Sequence, residues 1–144
     1  MDRSPEGVFR RMLELLTAKD MDGIAGLWAP DGTAEFPFAE AGAPTRLSGR
    51  EAVRAHLAGY PDVYDVTGVT AVRVHRTADP ETVIAEFSSE GRSVRTGAPY
   101  RMDYITVVTV RSGLITEYRD YWSPVQTARA GGDLEALCKQ LEAS

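Results

Sequence analysis

Hydrophobic and polar positions along the chain run first at helical period, then at strand period, then at helical period again. Behind Ser4-Pro5-Glu6, the residues Val8, Phe9, Met12, Leu13, Leu15 and Leu16 predict an amphipathic helix to about Lys19. Asp20 is placed to cap a second, short helix carrying Met21, Ile24, Leu27 and Trp28, which Pro30 and Asp31-Gly32 bring to an end. Thr33 to Phe38 reads as a short strand that Pro37 confines to an edge or stops, and a Gly/Pro/Ala loop follows to about Pro44. Ser48 and Glu51 stand at capping-box spacing ahead of a third helix, Glu51 to about Leu57, closed by Tyr60-Pro61.

From Val63 onward the period is two. Strands are predicted over Val63 to His75, Thr82 to Ser89, Tyr100 to Arg111 and Leu114 to Trp122. Asp79-Pro80, then Gly91 with Gly97-Ala98-Pro99, then the tight turn Ser112-Gly113 separate them, so the last two are antiparallel neighbours. After Pro124 a short helix through Ala128 to Ala130 stops at Gly131-Gly132. Asp133 then leads a tail with Leu134, Leu137 and Leu141, placed to cover a cavity mouth or a neighbouring subunit. Helix, helix, strand, helix and a four-strand meander make an α+β order, with three helices packed on the concave face of a curved sheet.

Side chains alternate faces along a strand, and this singles out one carboxylate. Leu114, Thr116, Tyr118, Asp120 and Trp122 share one side of the last strand; Ile115, Glu117, Arg119 and Tyr121 share the other. An Asp between a Tyr and a Trp is either solvated at a rim, paired with Arg101, Arg119 or a backbone amide, or held in an apolar cavity. In the cavity its pKa rises, which suits a general acid or base. In the preceding strand Tyr100, Met102, Tyr104, Thr106, Val108 and Val110 face one way, and Ile105 and Val107 make the other side partly apolar too. Such a strand is central, with helices over one face and a second subunit over the other.

Composition narrows the partners. The 144 residues, 43% hydrophobic, suffice for one domain, with a core over about 8–130 and a tail over 131–144. Net charge is -5 from 16 basic and 21 acidic residues, with no basic cluster, so no nucleic acid or anionic membrane surface is expected. A small molecule or another copy of the chain is the expected partner. The single Cys138 excludes an internal disulfide framework and a cysteine-rich zinc site, and fits a reducing, cytoplasmic setting. No run approaches the ~20 apolar residues of a membrane span, and the N-terminus lacks the apolar stretch of a secretion signal. His56 and His75 stand outside any metal-ligand spacing, so no metal is expected.

Two segments carry a family resemblance: Leu47-Ser48-Gly49-Arg50-Glu51-Ala52-Val53, and Gly113 to Pro124 with its Tyr118-Arg119-Asp120-Tyr121-Trp122 centre. With the chain from about Phe9 to Ala130 they resemble the SnoaL-like branch of the nuclear-transport-factor/ketosteroid-isomerase superfamily. The resemblance implies a cone-shaped α+β barrel, dimeric through its outer sheet face, with a pocket between sheet and helices. Asp120 falls where polyketide cyclases and limonene-type epoxide hydrolases have an acid/base aspartate, and where phenazine biosynthesis A/B proteins have a glutamate. Those phenazine proteins also resemble this chain in Gly49 to His56, with a pocket histidine at the place of His56, and in Pro124-Val125-Gln126-Thr127-Ala128-Arg129-Ala130.

The departures are informative. Epoxide hydrolases of this kind need an Arg-x-Asp pair where this chain reads Ile84-Ala85-Glu86-Phe87, and ketosteroid isomerases place an aspartate before a proline where Phe36 precedes Pro37. Glu35 is then a displaced carboxylate to watch. The resulting expectation is a cofactor-independent acid/base enzyme of secondary metabolism, a cyclase or isomerase acting next to a carbonyl of a ring-bearing, mostly apolar substrate. Asp120 would move the proton, and His56 and Tyr104 would donate hydrogen bonds to the enolate oxygen. Phe36, Met102, Tyr118 and Trp122 would form walls, with Tyr60 at the mouth and Glu35 beside them. Two alternatives stand: a binding or accessory protein with the same pocket and no turnover, and an epoxide hydrolase using Glu86 or Glu35.

Overall fold

Helix α1 (Pro5–Thr17) begins where the sequence predicts it. The Ser4 side chain accepts a hydrogen bond from the Gly7 N–H, and Pro5 occupies the first turn, where its missing donor costs nothing. The computed structural model describes residues 1–144. The apolar stripe of α1 buries Val8 and Phe9 completely, together with Met12, Leu13 and Leu15, and packs across β3 (Tyr64–Arg76), β4 (Thr82–Ser93) and β5 (Pro99–Arg111). Phe9 meets Phe87 of β4 at a ring-centroid distance of 5.6 Å. Removing a buried ring of that kind costs about 3–5 kcal/mol.

Six strands form one sheet in the order β2-β1-β6-β5-β4-β3. Here β1 is Trp28–Glu35, β2 is Arg46–Ser48 and β6 is Leu114–Trp122. Neighbours are antiparallel except β1 and β6, which run parallel. The predicted three-helix cover is present: α1, α2 (Met21–Ala25) and α3 (Arg50–Ala58) contribute Phe9, Ile24 and Val53 to one buried cluster with Ala34, Ala85, Val108 and Ile115 of the sheet. Register slips in β3 between Val66 and Gly68 and between Thr70 and Arg73, where Ala71 has φ 55°, bend that strand. The β5–β6 turn has φ 52° at Ser112 and 77° at Gly113, the two positive values of a hairpin whose twist matches its strands.

Several boundaries differ from the sequence reading, each for a physical reason. Trp28 belongs to β1 rather than to α2, which stops at Ala25. Its indole N–H donates to the Thr33 carbonyl, so Pro30-Asp31-Gly32 is an irregularity inside a strand and not a helix end. Phe36 to Phe38 lie beyond β1. Ser48 caps nothing: it pairs with Thr33 as part of β2, while Gly49 at φ 94° turns the chain into α3 and Glu51 bonds Arg54 instead. Tyr60-Pro61 does not close a helix but opens a one-turn helix, α4 (Tyr60–Val63). Gly91 lies inside β4, paired with Val66 and Tyr100, and is glycine because a Cβ there would collide with the Asp65 carbonyl of β3. Past β6, α5 (Pro124–Gly131) and α6 (Leu134–Ala143) pack on one another, and α5 also packs on β5. No helix is long and apolar enough to cross a membrane.

Candidate functional site

Between the helices and the inner face of the sheet lies a cavity of about 380 Å³. Strand register builds its floor: Tyr104 lies opposite Trp122, Thr106 opposite Asp120 and Val108 opposite Tyr118, so β5 and β6 present one continuous inner surface. Met102 and Phe87 extend that floor, Met12, Leu16 and Ile24 descend from α1 and α2, and His56, Tyr60 and Tyr64 stand around the side formed by α3, α4 and the start of β3.

Asp120 sits within this apolar enclosure. It retains some surface towards the cavity, but its Oδ1 is sealed and has no hydrogen-bond partner. The cations that could have neutralised it are elsewhere. Arg101 bonds Ser88 and reaches Glu90 and Asp103 on the outer face, and Arg119 points to the opposite face of β6. Burial alone, without an offsetting donor, pushes the Asp120 carboxyl up to about 7. A carboxyl so poised can both accept and return a proton near neutral pH.

Donors face it. Burial first, and then the Asp120 charge, holds the Tyr104 phenol far above its ordinary value, so it stays an O–H donor, directed at the Met102 sulfur at 3.7 Å. The Trp122 indole N–H is buried and has no partner. Phe36 is 8% exposed and lies between His56, stacked on it at 5.3 Å, and Trp122 at 5.4 Å. His56 itself is solvent-exposed at the rim and makes no hydrogen bond, and partial burial lowers its pKa, favouring the neutral imidazole.

The domain model for the SnoaL-like domain matches residues 9–118. The chain belongs to the SnoaL-like family. A relative 40% identical over 123 residues, covering 85% of this chain and 84% of its own, is the uncharacterized protein YesE of Bacillus subtilis. An uncharacterized PhzA/B-like protein of Pseudomonas aeruginosa is 39% identical over 127 residues, 88% of this chain and 89% of its own. Among solved structures, the "Putative Isomerase from Bacillus subtilis" superposes with a TM-score of 0.88 at 37% identity, covering 92% of this chain and 97% of that one.

On this SnoaL-like scaffold Asp120, His56, Tyr104, Phe36, Tyr60, Met102, Tyr118 and Trp122 border one cavity. Glu35 does not: it faces outward and pairs with Arg46 across β1 and β2 at 2.9 Å, as the parity of β1 requires once Ala34 is inside. Glu86 is also outside, 2.7 Å from His75, so neither substitute carboxylate of the epoxide-hydrolase alternative reaches the cavity. No group of three His, Cys, Asp or Glu side chains is placed to hold a metal ion.

Sequence reasoning missed Glu40, which lines the cavity from the loop after β1, and Tyr64, which packs between Tyr60 at 5.1 Å and Tyr100, met edge-on at 5.3 Å. It also missed the hydroxyls of Ser89, Tyr100 and Thr106, which are buried without partners. For Ser89 the signal was available, since it follows Phe87 by two on β4 and shares its inward face. A second, larger concavity of about 700 Å³ lies on the outer sheet face. Its Arg101, Asp103 and Glu86 are already paired with neighbours, in contrast to the unpaired groups inside.

Proposed function

We propose that the protein is a cofactor-independent acid/base enzyme, a cyclase or isomerase of secondary metabolism, acting on a ring-bearing, mostly apolar ketone. The observation that carries this reading is Asp120: an unpaired carboxyl in an aromatic enclosure, poised near pH 7, one strand away from a phenol that stays protonated. In the forward step the Asp120 carboxylate takes a proton from the carbon next to the carbonyl. The electron pair moves onto the oxygen, where Tyr104 donates a hydrogen bond and His56 supports it from the rim. Returning the proton to another carbon completes an isomerisation; attack of the same carbanion on a second carbonyl of the substrate closes a ring. Phe36, Met102, Tyr118 and Trp122 hold the ring system flat by aromatic and apolar contact, with Tyr60 at the entrance.

The same reading includes a homodimer through the outer sheet face. Ile105 is 47% exposed and Phe38 56% exposed on either side of the outer concavity, and both are apolar enough to favour cover. A biological interface there would bury more than about 1,000 Å² in total.

Deuterium exchange tests the chemistry without the natural substrate. Bicyclic aryl ketones incubated with the protein in heavy water should exchange protons at the carbon next to the carbonyl, followed by NMR, and Asp120→Asn should slow this roughly 10²-fold or more. Ligand binding with no exchange above buffer would identify a binding protein instead.

A further inference from the structure

We infer that the cavity is built for a ligand carrying a protonated amine on its ring system, with Glu40 as the counter-charge at the entrance. This rests on the reading of the cavity as the substrate site and deepens it by naming the ligand's charge class.

The walls carry a one-sided set of charges. Two carboxylates, Asp120 and Glu40, line the cavity, and no lysine or arginine does. The one imidazole, His56, has a lowered pKa through burial and adds little positive charge near neutral pH. The nearby arginines at 46, 73 and 101 lie on the outer face or are held there by ion pairs. Seven aromatic side chains border the same space, among them Tyr60, Tyr64, Tyr104 and Trp122, and the faces of such rings are electron-rich. An anionic ligand would therefore lose its hydration with no cation to replace it.

Glu40 adds direction to this polarity. Its Oε1 is sealed from solvent and has no hydrogen-bond partner. The loop that carries it is pinned: the Phe36 N–H donates to the Thr45 carbonyl at 2.8 Å, Ala39 to Phe36 at 3.1 Å, and Ala43 to Glu40 at 3.0 Å. Glu40 lines the same cavity as the Tyr60–Tyr64 ring pair, and the Tyr64 phenol is raised first by burial and next by the charge of Glu40. A ring compound without a donor leaves this cavity-lining carboxylate unpaired. An ammonium donates to it and lies against the ring faces at once.

Calorimetry with three matched naphthalenes, bearing an aminomethyl, a hydroxymethyl or a carboxylate group, tests the inference at neutral pH on the intact chain. The amine should bind at least about tenfold tighter than the alcohol, the step that ~1.4 kcal/mol provides, and the carboxylate should bind weakest. Glu40→Gln should abolish the preference for the amine and leave the alcohol's affinity within about twofold, while Glu40→Asp should keep part of the preference. Asp120→Asn should keep most of it, because Asp120 is only partly ionised at this pH. Equal or tighter binding of the carboxylate, a preference that survives Glu40→Gln, or its loss in Asp120→Asn would each overturn the assignment. Turnover is not read, so failure here leaves the acid/base proposal standing, and a failed exchange assay leaves the amine preference to be judged by its own measurement.

Discussion

Asp120 and Asp103 sit on adjacent strands of one sheet, three rungs apart, and face opposite ways. On the outer face Asp103 accepts hydrogen bonds from the Ser88 hydroxyl at 2.6 Å and the Gln126 amide at 2.8 Å, with Arg101 at 3.4 Å. Those donors hold its carboxyl below the ordinary value. On the inner face Asp120 has none, and burial pushes it to about 7. The same side chain is a settled anion in one place and a poised proton carrier in the other. What differs is the supply of donors and water, and not the backbone that presents it.

The widest expected separation between the two is in rate. Asp120→Asn should reduce proton exchange roughly 10²-fold or more while circular dichroism and ligand affinity hold, and Asp103→Asn should leave the rate unchanged. If both variants, or neither, slow exchange, the inner face is not special.

Stability against pH should separate them by sign. Between the ordinary carboxylate value and about 7, the folded chain keeps a proton on Asp120 that the unfolded chain has released. Stability therefore falls as pH rises through that window, by up to roughly 4 kcal/mol, and levels off above it. Asp103 has a lowered folded value, so its contribution is present above the ordinary carboxylate range and is lost as pH falls through the folded value. Urea titrations from pH 3 to pH 8 should show Asp120→Asn flattening the decline towards neutrality and Asp103→Asn flattening only the acid limb.

The outer face can be challenged directly. Ile105→Lys places a charge on the proposed dimer surface and should raise the dissociation constant of the dimer about tenfold or more by light scattering. A wild-type chain that scatters as a 15.7 kDa monomer at micromolar concentration removes that proposal. A smaller effect is expected at the rim of the cavity, where His56→Ala should cost about tenfold in exchange rate, with most of the loss in kcat. Smallest of all, Cys138→Ser or treatment with a chelator should leave exchange unaltered, since Cys138 is exposed and free.

What could be read in advance divides along the same line between faces and partners. Periodicity located α1 and gave β6 its span, because thirteen residues at helical period and a nine-residue strand leave little room for other assignments; it did not show the register slip beside Val110 that turns Ile115 inward on the same core as Tyr118. It placed Asp120 on the side of Tyr118 and Trp122, but could not tell whether Arg101 would reach it, since that depends on which face of β5 meets which face of β6. Parity also held the correction for Glu35: with Phe36 and Ala34 turned inward, Glu35 had to point out. Glu40 was illegible for a different reason. It lies in a loop, where the direction of a side chain follows from the backbone path and no repeating pattern exists to reveal it. Strand β2 is three residues long, too short for any period to register.

The parallel pairing of β1 with β6 bears on the order in which this molecule can assemble. Trp28 lies beside Ile115 and Glu35 beside Arg119, so β1 must wait for a strand synthesised near the end of the chain before it gains its central neighbour. The β3–β5 meander closes through short connections and can form early, whereas docking β1 requires closing a loop that spans most of the polypeptide, an entropically slow event. While a nascent chain is still short of β6, Trp28 and Ala34 have no wall to lie against, and the apolar stripe of α1 covers an incomplete floor. Strand β6 also carries Asp120. The carboxyl therefore enters with a strand that joins β5 through the shortest connection of the sheet, while Phe36, carried just beyond β1, can close over the cavity only once β1 has docked on β6.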